Sequence, residues 1–221
     1  NIGPVPSTSE HGMVTTICWS TAERIDYALE GIIVTCGATV KWLRDQLGLI
    51  ASSAETESMA RAVESNGGVY FVPAFSGMGA PHWKMDARAS IVGLTFGSNK
   101  NHVVRAALES VAFQIKDVVV AMEKDSGVSL SELKVDGGMT GNSFLMQIIA
   151  DLLGVKAVNI GLEEVSALGA AYMAGLGVGE FKSINDLASL HYSQEVFEPS
   201  EAAGQIQEDY DAWQEMIAKH C

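Results

Sequence analysis

Leu133-Lys134-Val135-Asp136-Gly137-Gly138-Met139-Thr140-Gly141-Asn142, followed by Phe144, Leu145, Ile148, Ile149, Leu152 and Leu153, is the stretch whose reading decides the fold. Leu133 and Val135 alternate with polar neighbours, the pattern of a short strand with a buried face. The six apolar residues beyond Asn142 recur at helical spacing. Between strand and helix lie Gly137, Gly138 and Gly141, which let backbone N–H groups approach an anion or a flat ring with no Cβ in the way. That layout points to a nucleotide site. A purely structural strand–turn–helix corner produces the same pattern, so the stretch needs company.

Upstream, residues 1–20 are turn-rich, with Pro4, Pro6 and Gly12, and Met13–Ile17 reads as a strand. Tyr27 to Leu47 carries Leu29, Ile33, Val40 and Leu43 and predicts one long helix. Gly37 then sits inside it, at a cost of about 1 kcal/mol relative to Ala, which a kink, close packing or ligand approach would justify. Glu55–Ser65 predicts a shorter polar helix, Val69–Val72 a strand, Ala74–Arg88 a long loop and Ser90–Leu94 another strand. A helix capped by Asn101 or a neighbour places Val104, Leu108, Val111, Ile115 and Val119 on one face. Downstream come a strand at Lys156–Ile160 and a small-residue helix from Ser166 to Leu176, suited to lying close against a sheet. An acidic amphipathic tail follows from Pro199, with a helix around Tyr210 and Trp213. Alternation of strands and helices predicts an α/β domain.

The chain has 221 residues, 48% of them apolar and 19% charged, an ordinary globular composition with enough length for a substantial core. A net charge of −13 argues against nucleic acid or an anionic membrane surface as partner. ATP remains compatible, because a local pocket can hold phosphate on an acidic protein. Cys18, Cys36 and Cys221 are widely spaced and odd in number, which disfavours a disulfide framework or zinc site and fits a reducing cytoplasm. The uncharged run Val165–Gly179 is too short to span a membrane. The chain begins at Asn1 with no signal-peptide pattern, and the missing initiator Met suggests a piece of something longer.

Phosphoryl transfer needs a phosphate cradle, a metal, and a base near the acceptor hydroxyl. Asp136 ends a strand beside two glycines and is the tempting base, although bonding to turn amides accounts for it as well. His11, His82, His102, His191 and His220 show no metal-ligand spacing and read as surface or cap residues. Glu163-Glu164 suits a helix start. Phe75, Trp83 and Phe96 could stack a substrate or serve packing. No GxSxG elbow, Walker A pattern or GxGxxG is present.

Taken together and in order, the motifs resemble the C-terminal domain of the FGGY carbohydrate kinases. They are Tyr27-Ala28-Leu29-Glu30-Gly31, Gly37-Ala38, Trp42-Leu43-Arg44-Asp45, Val72–Gly77, Ala80-Pro81-His82-Trp83 and Asp86-Ala87-Arg88. Beyond these come Gly93-Leu94-Thr95, Arg105–Glu109, Val135-Asp136-Gly137-Gly138, Phe144–Gln147 and Ala167–Ala171. The resemblance covers roughly residues 1–180 and is strongest to the members that act on glycerol.

That resemblance implies an actin-like, ribonuclease-H-like ATPase domain, with a central mixed sheet flanked by helices, filling residues 1–221. It implies ATP as cofactor, carrying Mg²⁺ on its phosphates, and a polyol or sugar substrate bound mainly by an N-terminal domain that this chain lacks. By the same resemblance Gly37, Gly138 and Asn142 match nucleotide-contacting positions. Lys41 stands where many members have glutamine, and its side chain could reach nucleotide or solvent. The catalytic aspartate is expected upstream of Asn1, so Asp136 belongs to the adenosine side and is not the base. The expected activity is transfer of the ATP γ-phosphate to a hydroxyl, glycerol giving glycerol 3-phosphate. A kinase of xylulose, ribulose or erythritol, or a non-catalytic nucleotide-binding relative, are the alternatives. A homo-oligomer is left open, and the chain alone is expected to be inactive.

Overall fold

The computed structural model describes residues 1–162, 164–188, 190 and 195–221. Glu163 and His191 fall outside them. The chain opens with a hairpin in which β1 (Val14–Ser20) pairs antiparallel with β2 (Ile25–Glu30), a bulge falling between Ile17 and Trp19. This corrects the long helix predicted from Tyr27. Ile25, Tyr27 and Leu29 alternate with Asp26, Ala28 and Glu30, a period of two that pairing with β1 rewards. The chain then leaves the strand at Gly31, where an added Cβ would lie 2.2 Å from Val118 Cγ1. Only the second half of the predicted helix exists, as α1 (Gly37–Asp45). Gly37 is therefore its first residue, and no mid-helix cost applies to it.

The predicted polar helix forms as α2 (Glu55–Arg61), and β3 (Tyr70–Val72) pairs antiparallel with β4 (Ser90–Val92). The loop between these strands folds back on itself, with Trp83 donating its ring N–H to Gly12 O at 2.7 Å. α3 (Lys100–Ser126) is the central strut. Its cap is Asn99 rather than Asn101: the Asn99 side chain accepts from Asn101 N at 2.9 Å, and His102 Nδ1 accepts from Asn99 N at 3.2 Å. Gly127, left-handed at φ 67°, ends it.

The deciding stretch forms β5 (Glu132–Val135), a 3₁₀ turn at Gly138–Gly141, and α4 (Ser143–Leu153). β5 runs parallel to β6 (Lys156–Asn159), which pairs antiparallel with β7 (Glu195–Phe197). Among the described residues the expected central sheet is thus three small sheets, of which β5–β6–β7 is the mixed one.

α5 (Val165–Gly177) and α6 (Ile184–Ala188) follow, and α7 (Ala203–His220) closes the chain. α5 does not lie against a sheet: none of its residues is buried. One of its small residues is explained locally, since a Cβ on Gly175 would meet the Phe181 ring at 2.7 Å. The core joins α1, α2, α3, α4, α7 and β3 through Leu43, Ala60, Phe71, Leu108, Phe113, Leu145 and Ile149. Trp213 of α7 is wholly buried, and its ring N–H bonds Phe71 O at 2.8 Å.

Candidate nucleotide cleft

Three segments converge on one cleft of about 790 Å³, within the range of ordinary ligand sites. α1 supplies Gly37, Val40, Lys41 and Arg44. The start of α2 and the turn before it supply Ser53, Ala54, Thr56 and Glu57. The glycine turn supplies Gly138, Met139, Gly141 and Asn142, and Leu108 of α3 forms the floor. All four residues singled out in the sequence, Gly37, Lys41, Gly138 and Asn142, lie in this one cleft, although the two pairs are about a hundred positions apart.

The glycine turn presents bare backbone. A Cβ built on Gly137, Gly138 or Gly141 would find nothing within 4 Å, so these peptides face open space. Gly137 has φ 93°, a conformation that side chains disfavour. Gly37 sits across from Met139: its Cβ position is 3.4 Å from the Met139 sulfur, and Cys36 Sγ lies 3.6 Å from the same atom. Glycine at 37 therefore sets the width of the cleft between α1 and the turn.

Three helix N-termini border the cleft, and those of α1 and α4 differ in charge. α1 has no side-chain cap and no acidic residue in its first turn, while Lys41 and Arg44 lie on its cleft side. Its positive end is free to hold an anion. α4 is capped twice. Asn142 Oδ1 accepts from Leu145 N at 3.0 Å, and Glu57 Oε2 accepts from Ser143 N at 3.1 Å. Ser143 Oγ donates to Glu57 Oε1 at 2.5 Å, Arg61 Nε donates to the same oxygen at 3.0 Å, and Asn142 Nδ2 donates to Thr56 Oγ1 at 3.1 Å. The bond from Ser143, with Arg61 adding to it, holds the Glu57 carboxyl below the ordinary carboxylate range despite partial burial.

The α2 wall was missed in the sequence. Thr56 and Glu57 carry no motif, and their importance lies in contacts to residues 86 positions away. Other readings are corrected. Asp136 is exposed, and among the described residues its carboxylate accepts no hydrogen bond, so it neither faces the cleft nor braces the turn. Phe75 packs on Trp42 and Phe71, with centroids 4.9 and 6.0 Å apart, whereas Phe96 is fully exposed and Trp83 is turned to Gly12. They form no stacking platform. His102 is a cap residue as expected, but His82 is half-buried, with Nε2 2.7 Å from Asp117 Oδ2. Glu164 occupies the N-cap of α5 without a side-chain cap bond.

The sequence model of the FGGY family of carbohydrate kinases, C-terminal domain, matches residues 2–178. The chain belongs to this family. It is 49% identical over 217 residues to a glycerol kinase of Paraburkholderia phymatum, and 48% identical over 219 residues to glycerol kinase 2 of Thermotoga maritima. Each alignment takes in 98% or more of this FGGY chain but 44% of the relative, so the chain spans less than half the length of the curated relatives it matches. Its fold superposes on Plasmodium falciparum glycerol kinase, solved with ADP, at a TM-score of 0.88 and 37% identity, covering 100% of this chain and 44% of that one. A Lactobacillus acidophilus xylulose kinase, at 21% identity and a TM-score of 0.84, shares the fold. The FGGY domain therefore has the actin-like ATPase fold expected from its motifs. No described helix is long and apolar enough to cross a membrane.

Proposed function

We propose that this chain is the nucleotide-holding half of an ATP-dependent kinase that phosphorylates glycerol to glycerol 3-phosphate. The observation that carries the proposal is the convergence of Gly37, Lys41, Gly138 and Asn142 on one cleft, in a chain whose relatives are named glycerol kinases. The neighbour solved with ADP supports the choice of nucleotide.

The asymmetry of the cleft supports an orientation for the ligand. Phosphates lie toward the uncapped start of α1 and the bare peptides of Gly137 and Gly138. The base lies toward α2 and Asn142, where the helix end is already neutralised by Glu57. Gly138 admits the nucleotide closely, Gly37 keeps the opposite wall clear, and Lys41 offers a cation at the rim. Mg²⁺ arrives bound to the ATP phosphates, where it neutralises charge during transfer. The carboxylate that accepts the hydroxyl proton, and most acceptor contacts, belong to the part of the relatives' length that this chain does not span. Closure of that part over the cleft would exclude water as a competing acceptor. The composition suits a cytoplasmic enzyme.

An assay of the 221-residue chain with ATP and glycerol tests the division of labour. The expected result is nucleotide binding without phosphoryl transfer. Appreciable glycerol 3-phosphate from this chain alone would contradict it. The longer protein containing this chain should transfer phosphate to glycerol in preference to xylulose, ribulose or erythritol.

A further inference from the structure

The α2 wall of the cleft has a feature that pocket shape and phosphate binding leave unused. Thr56 Oγ1 accepts from Asn142 Nδ2 and spends its only proton on Ser53 O at 2.7 Å. Asn142 Oδ1 accepts from Leu145 N and, as a neutral amide oxygen, keeps one further lone pair. Glu57 differs in carrying a charge. Its Oε1 takes both Ser143 Oγ and Arg61 Nε, while Oε2 takes Ser143 N alone, and a carboxylate oxygen accepts two bonds. The side chain is 29% exposed, lines the cleft and keeps one acceptor position that no protein donor fills. Three bonds from Ser143 and Arg61 fix its position, so little freedom is lost when a ligand donor meets it.

We infer that Glu57 is a specificity-determining residue that selects a purine carrying a 6-amino group over one carrying a 6-oxo group. This rests on the nucleotide reading above and extends it to the base. An exocyclic amine donates to Oε2, whereas a 6-oxo oxygen placed there would face a carboxylate with two acceptors opposed and no proton between them. Glu57 stays ionised because Ser143 and Arg61 both stabilise the charge.

The test compares ADP with IDP, which differ at this position of the ring, by calorimetric titration of the 221-residue chain and two variants. Wild type is expected to prefer ADP by about tenfold or more, the scale of one hydrogen bond to a charged group. Glu57→Gln keeps an oxygen for Ser143 Oγ and Arg61, gives up the bond from Ser143 N, and offers an amide N–H to the 6-oxo group, so the preference should shrink to about threefold or less. Ser143→Ala weakens the clasp but leaves the carboxylate, and the preference should persist even if both affinities fall. An unchanged ADP:IDP ratio in Glu57→Gln overturns the inference. So does a Ser143→Ala chain that loses the preference as completely, since that marks a merely structural clasp. Equal binding of both ligands by wild type defeats base selection alone, while binding of neither defeats the nucleotide reading itself.

Discussion

Gly138 is a residue at which binding can be separated from folding. Nothing lies within 4 Å of the Cβ that a substitution would add, so Gly138→Val has room in the free chain while its side chain occupies the cleft. The melting temperature should stay near wild type, with ADP affinity lower by about tenfold or more. A variant that binds ADP normally would remove Gly138 from the site. Glu109 makes a second residue-scale prediction. It is buried on α3, accepting from Arg105 Nε at 2.7 Å and Asn66 Nδ2 at 3.0 Å. Burial pushes its carboxyl up to about 7 from an ordinary 4.5, outweighing Arg105 and Asn66. Between those values the unfolded chain holds fewer protons at this site than the folded one, so this group's contribution to stability falls as pH rises through the window and levels off above it. Glu109→Gln has no proton to lose there. Melting curves from pH 4.5 to 8 should show a shallower decline in the variant, and parallel declines would contradict the assignment. Asp209, also raised by burial, contributes in the same direction and remains in both proteins.

The elements were legible in the sequence wherever one periodicity ran uninterrupted. The long helix α3, with Val104, Leu108 and Val111 inward, and the β5–turn–α4 unit fall where the pattern puts them. The failure at Tyr27–Leu47 has a clear cause: Leu29 and Ile33 precede α1 yet stand in helical spacing with Val40 and Leu43, so two structures imitate one. What separates them is a long-range steric fact, the approach of Val118 to Gly31, which no local pattern records. The cleft was half legible for the same reason. Its two glycine-bearing walls carry family motifs, while the α2 wall is defined by bonds from Thr56 and Glu57 to the turn and start of α4. At this scale the tail helix is predicted to hold the domain together. Trp213→Ala empties a fully buried site against Phe71 and Phe113 and should cost about 3–5 kcal/mol. Chemical denaturation measures it, and a loss under about 1 kcal/mol would show α7 to be peripheral.

At the scale of the molecule, the FGGY domain builds a complete cleft of its own, and the proposal makes that cleft the nucleotide side of a kinase. The walls from α1, α2 and the glycine turn meet on α3, and each is held by contacts within this chain, so the cleft is formed without the remainder of the relatives' length. A second cavity, between residues 10–12, His82, Asp117 and Tyr210, offers a natural internal comparison, because its polar groups bond one another. The central claim, that the first cleft holds the nucleotide, is tested most directly by titrating ADP into the 221-residue chain while following backbone amide resonances. The account predicts saturable shifts concentrated at Gly37, Lys41, Gly138 and Asn142. Shifts centred on His82 and Tyr210 instead, or none at millimolar ADP, would contradict it.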